Sequence, residues 1–210
     1  MEETILRYLR DKYHPLALIV YGSFADGTNG PGSDFDALLI GEGERQHEDA
    51  TLEGVPLDVF VEPLETFQRD WDPADYLQLL GGRIVGDRGG LAAGILERVR
   101  ACAAGLPRKT REEIRESLTW CWKMLERTRR GDDEGLYRWH WLLTDSLEIF
   151  CDVIGEPFLG PKKALRCMAA SYGMALMLYR RALGEMRPEA LRNWIAYLED
   201  LAKLRGEREK

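Results

Sequence analysis

YGSFADGTNGPGSDFD, residues 21–36, is the stretch whose reading decides the fold. The run before it, Leu16–Val20, is short and made of Leu, Ala, Ile and Val, which predicts a buried strand ending at Tyr21. Gly22 lets the backbone turn sharply and approach a ligand closely. Ser23 is placed to cap a short helix through Phe24 to Asp26, and the free N–H groups of a helix start attract phosphate. Gly27–Ser33 gathers Gly, Thr, Asn, Pro and Ser, so it predicts a loop. Asp34-Phe35-Asp36 then leads into Ala37–Ile40, a second buried strand.

Side chains alternate along a strand, so Asp34 and Asp36 face the same way while Phe35 faces the core. Two carboxylates on one face repel unless a cation lies between them. Mg²⁺ is the natural partner, since it takes oxygen ligands from one or two carboxylates and from substrate phosphates. A third aspartate, Asp58, sits inside another apolar run, VPLDVFV at residues 55–61. A carboxylate in such a strand is costly unless it is paired or liganded. Three carboxylates can hold two metal ions for an in-line displacement at phosphorus.

The order Gly22-Ser23, Asp34-x-Asp36, Asp58 resembles the nucleotidyltransferase superfamily that includes polymerase β. Within it, the chain looks most like the minimal members and the kanamycin nucleotidyltransferase group. The resemblance spans residues 16–87, where Leu80–Asp87 resembles the strand that closes the domain in small members. It implies a mixed sheet of four or five strands with helices on one face. It also implies that Gly22 and Ser23 contact the β- and γ-phosphates of ATP or another nucleoside triphosphate, and that Asp34 and Asp36 bind both Mg²⁺ ions. Asp58 would bind the catalytic ion and orient or deprotonate the attacking hydroxyl. A looser resemblance covers His140–Phe150 and Pro157–Lys163, which are similar to the substrate-side helical bundle of small-molecule nucleotidyltransferases. From that group it implies a carboxylate base on the helical part, with Asp145 and Glu148 as the candidates, and a homodimer in which two subunits build each site.

Composition bounds the rest. The chain of 210 residues has 45% hydrophobic residues, enough for a core. No run of about 18 apolar residues occurs, so no transmembrane helix and no membrane partner is expected. The first residues, MEETILRYLRDKYH, predict a charged amphipathic helix rather than a signal peptide. Four isolated cysteines, without metal-type spacing, predict core residues or free thiols and a reducing cytoplasm. His14, His47 and His140 are too scattered for a metal site. Residues 1–87 carry 6 Lys and Arg against 18 Asp and Glu, whereas residues 88–210 carry 23 against 18. The basic half could meet the triphosphate, or the two halves could simply attract each other.

The expected organisation is α+β: a small mixed-sheet nucleotidyltransferase domain over residues 1–88, then an all-α helical bundle over residues 89–210. The boundary is expected at Asp87-Arg88-Gly89-Gly90. Helices are expected at about 3–12, 64–80 (interrupted at Pro73), 91–104, 109–130, 134–154, 162–183 and 188–206. In the helix from Glu134, Trp139, Leu142, Leu143, Ser146, Phe150 and Val153 share an apolar face. Trp141, Asp145, Glu148 and Asp152 form a stripe beside it, which reads either as a solvated acidic face or as a seat for a cationic acceptor.

These residues lead to one expected function. The chain would move a nucleoside monophosphate, AMP from ATP in the first instance, onto a hydroxyl of a small molecule such as an aminoglycoside-like antibiotic, releasing pyrophosphate. The alternative is an antitoxin-like minimal nucleotidyltransferase that modifies or binds a protein partner. The absence of Gly-x-x-x-x-Gly-Lys-[Ser/Thr] argues against a P-loop enzyme. The acidic balance and the lack of a recognisable module argue against a nucleic-acid partner.

Overall fold

The computed structural model describes residues 1–208, with side chains through Arg205. It divides into two compact units, Met1–Leu106 and Pro107–Lys210. The boundary expected from the Gly-rich turn, 88/89, and this division differ by one helix, which packs within the first unit.

The first unit is a mixed sheet. Its elements run α1 (Glu2–Tyr13), β1 (Ala17–Val20), α2 (Gly22–Asp26), β2 (Phe35–Gly41), β3 (Gln46–Glu48), β4 (Thr51–Leu52) and β5 (Val55–Pro63). There follow α3 (Leu64–Gln68), a 3₁₀ helix (Pro73–Leu79), β6 (Arg83–Asp87) and α4 (Leu91–Gly105). The strands lie in the order β3-β5-β2-β1-β6, with β4 paired to β5 alone. β2 and β5 are parallel, and the other pairs are antiparallel.

Every residue of β1 is buried, as a continuous apolar run requires when both faces of a sheet are covered. Helices accordingly cover two faces, not the one that the resemblance implied. On one face Ile5, Leu6 and Leu9 of α1 and Phe24 of α2 pack on Leu18, Val20, Phe35, Leu39, Leu57 and Val59. On the other, Phe67, Trp71, Tyr76, Leu79, Ile95 and Val99 pack on Ile19, Tyr21, Leu38 and Ile40. The expected helix 64–80 is two short elements. Asp72 ends the interruption by accepting from Ala74 N at 2.9 Å, and Pro73 starts the 3₁₀ helix. β3 and β4, three and two residues long, are too short to leave a periodic signature.

The second unit is helical: α5 (Arg111–Thr128), α6 (Asp133–Ile154), α7 (Pro161–Ser171), α8 (Gly173–Glu185) and α9 (Pro188–Arg208). Thr110 and Glu113 form a capping box at the start of α5. The expected helix 162–183 is broken at Tyr172, whose backbone leaves the helical region at φ −133 and ψ 54 while its ring packs edge-on against Phe150. All six residues of the expected apolar face of α6 are buried. Trp194, fully buried, donates to Ser146 Oγ at 2.9 Å, and the Tyr179 hydroxyl donates to Leu143 O at 3.0 Å. These two bonds pair the buried Trp194 indole, the Ser146 hydroxyl and the Tyr179 hydroxyl in the centre of the helices. Among the described residues no helix is long and apolar enough to cross a membrane.

Candidate active site

Parallel pairing of β2 with β5 sets Asp36 directly opposite Asp58. Asp34 lies one alternation earlier. One carboxylate oxygen from each of Asp34, Asp36 and Asp58 comes within 4.8 Å of the others. Residues 22 apart in sequence are therefore brought together by strand register alone. The turn after β1 is held against them: Tyr21 N donates to Asp36 O at 3.0 Å, continuing the β1–β2 ladder by one rung. Gly22 then adopts φ +65, and a Cβ there would lie 2.1 Å from Asp36 Oδ2. Only glycine fits at that point.

Ser23 departs from its expected part. Tyr21 is the N-cap of α2, and Ser23 lies inside the first turn, 5% exposed, because the turn at Gly22 brings the helix start two residues earlier. Its Oγ has no hydrogen-bond partner among the described residues. A buried hydroxyl without a partner costs free energy that a ligand would recover.

The field around this corner is strongly negative. Burial first, and then the carboxylates of Asp58, Asp36 and Asp34, push the Tyr21 phenol well above its ordinary range. Three hard oxygen donors at this spacing fit a divalent cation of the Mg²⁺ class, and the Ser23 hydroxyl in the turn after β1 is a donor without a partner among the described residues. The residues present fit the group.

Sequence reasoning missed His47. Antiparallel pairing of β3 with β5 sets His47 opposite Phe60, and the two rings stack with centroids 4.6 Å apart. His47 Nε2 lies 2.7 Å from Asp58 Oδ1. Two residues earlier, Arg45 pairs with the buried Glu62 at 2.6 Å. The only signal in the chain was the alternation Arg45-x-His47 facing Asp58-x-Phe60-x-Glu62, legible once the pairing is known. On the same face a cavity of about 380 Å³ is walled by Tyr21, Phe60 and Tyr76, with Arg45 and Glu62 at its side.

Asp145 and Glu148 lie in the second unit, on α6. With Glu116, Ser117 and Trp120 of α5 they line a groove of about 340 Å³. Trp141 is exposed and meets Trp120 edge-on. Asp152, the last member of the stripe, is paired with Lys109 at 2.7 Å. The acidic stripe is therefore part solvent-facing groove and part ion pair.

Residues 2–86 match the family model described as the nucleotidyltransferase domain. Among solved structures, the chain is similar to a nucleotidyltransferase-like protein from Exiguobacterium sibiricum, at 13% identity and a TM-score of 0.40, over 96% of this chain and 73% of that one. No curated protein matches.

Proposed function

We infer that this chain, whose residues 2–86 form a nucleotidyltransferase domain carrying a candidate catalytic carboxylate trio, transfers AMP from ATP to a hydroxyl of a small molecule and releases pyrophosphate. The observation that supports this most is the gathering of Asp34, Asp36 and Asp58 to within 4.8 Å beside the Gly22 turn.

In this reading Gly22 and Ser23 receive the β- and γ-phosphates, with Ser23 Oγ donating to one of their oxygens. Asp34 and Asp36 would hold two Mg²⁺ ions, and Asp58 would hold one of them. When bound, the ions neutralise charge on the triphosphate and acidify the attacking hydroxyl. Asp58 orients that hydroxyl. The acceptor oxygen bonds to the α-phosphorus as the bond to the bridging oxygen breaks, so pyrophosphate leaves. The proton passes to a carboxylate, for which Asp58, Asp145 and Glu148 are the candidates. The cavity beside Tyr21 and Phe60 gives a ring of the bound substrate an aromatic wall.

The test is pyrophosphate release from ATP with Mg²⁺ against a panel of aminoglycosides, lincosamides and other polyols, with Asp36→Asn as the control. Release that needs one acceptor and disappears in Asp36→Asn is the expected result. Release that survives in Asp36→Asn would remove the carboxylate trio from the mechanism.

A further inference from the structure

We propose that His47 is a positioning residue for the third carboxylate: by donating from Nε2 to Asp58 Oδ1 it fixes the orientation in which Asp58 meets the divalent cation. The inference rests on the nucleotidyl-transfer reading above and adds to it a residue outside the carboxylate trio.

The geometry is built from both sides of a short edge strand. Consecutive side chains on β3 face opposite ways. Glu48 faces α1, is 6% exposed, and accepts from Tyr8 at 3.0 Å, from Tyr13 at 2.8 Å and from Lys12. A three-residue edge strand would ordinarily be loosely held, and these bonds fasten it to α1. His47 therefore faces the other way, across β5, from a fixed base. Its register partner is Phe60, and Asp58 is the diagonal neighbour on the same face. The stack on Phe60 sets the plane of the imidazole, and that plane carries Nε2 to 2.7 Å from Asp58 Oδ1.

An ionised carboxylate only accepts, so the shared proton lies on Nε2. With one oxygen held, rotation of the Asp58 carboxylate is restricted, and its remaining lone pairs stay beside Asp34 and Asp36. Without that hold, three like charges within 4.8 Å would turn Asp58 away from the other two whenever no cation is bound. Partners that orient a metal ligand in this way commonly change metal affinity by about 10- to 100-fold when removed.

Two substitutions separate the hydrogen bond from the stack. His47→Phe keeps a ring over Phe60 and removes the donor. His47→Gln removes the ring and keeps an N–H at the reach of Nε2. The readout is Mn²⁺ binding followed by electron paramagnetic resonance on the full chain, with Asp36→Asn as the control and thermal unfolding as the check on folding. The expected result is Mn²⁺ affinity lowered about tenfold or more in His47→Phe, with His47→Gln close to wild type and all variants folded. Equal affinity in His47→Phe and wild type, or a loss in His47→Gln as large as that in His47→Phe, would overturn the inference while leaving the carboxylate trio in place. Wild-type protein that takes up no Mn²⁺ through Asp36 would overturn the proposed function and this inference with it.

Discussion

Gly22 and Asp36 share a space that holds only one side chain. The backbone at Gly22 has φ +65, and a methyl group there would lie 2.1 Å from Asp36 Oδ2. The glycine of the turn and the central carboxylate of the site are therefore a single structural unit, with the hydrogen bond from Tyr21 N to Asp36 O as its hinge. Gly22→Ala would add backbone strain of about 1–2 kcal/mol and drive the Asp36 carboxylate from its place. A shift of that kind at reacting groups lowers turnover about 100-fold. Urea unfolding and pyrophosphate release measure the two effects, and activity within a few-fold of wild type would sink the argument.

Like charge makes the trio a source of instability in the absence of a cation. Carboxylates within 4.8 Å of one another repel by about 1 kcal/mol per pair where water screens them fully and by about 3–4 kcal/mol at the effective dielectric of a protein surface. In divalent-free buffer, Asp36→Asn is expected to raise the thermal midpoint by a few degrees. Added Mg²⁺ is expected to raise the midpoint of the wild type, because it binds the folded form, and to leave that of Asp36→Asn unchanged. A variant that melts lower than wild type without metal would contradict the account.

How far the chain could be read in advance follows from what each residue depends on. Asp34, Asp36 and Asp58 were legible because each stands in or beside an apolar strand, where a carboxylate needs a reason, and because alternation within one strand fixes facing. The convergence of Asp36 and Asp58 needed the parallel β2–β5 register, which local sequence does not carry. His47 was passed over for the same reason: its meaning lies in being opposite Phe60. Ser23 looked like a cap because serine before a helix usually is one, and the turn at Gly22 moved the helix start ahead of it. The break at Tyr172 was hidden because residues 162–183 keep a helical pattern on both sides, and packing of the Tyr172 ring on Phe150 overrode it.

Glu48 ties acid stability to the edge strand. Burial would raise its pKa, but hydrogen bonds from Lys12, Tyr13, Tyr8 and Ala50 N draw it from 4.5 down to about 2. A carboxylate whose folded pKa is depressed stabilises the fold above its unfolded pKa, and that contribution is lost as pH falls through the folded value. Stability of the first unit is thus expected to decline between pH 4.5 and about 2. The decline is on the order of 2 kcal/mol, at about 1.4 kcal/mol per unit and discounted for the half-exposed Lys12. Urea unfolding across this range should show a steeper slope in wild type than in Glu48→Gln. Equal slopes would mean that the Glu48 cluster contributes nothing.

Asp145 and Glu148 stand in the same groove on the second unit, yet they differ in setting. Asp145 is half-buried and Glu148 exposed, and Glu148 lies in the field of Lys109, whose ammonium it helps to hold in its charged form after burial and Asp152 have acted on it. A general base contributes about 100- to 10,000-fold to turnover. If one of the two takes the acceptor proton, its amide variant loses turnover on that scale with the KM for ATP unchanged, while the other variant shows at most a raised KM for the acceptor. Steady-state kinetics of Asp145→Asn and Glu148→Gln decide between them. Turnover unchanged in both would leave the proton to Asp58 and make the groove a binding surface alone.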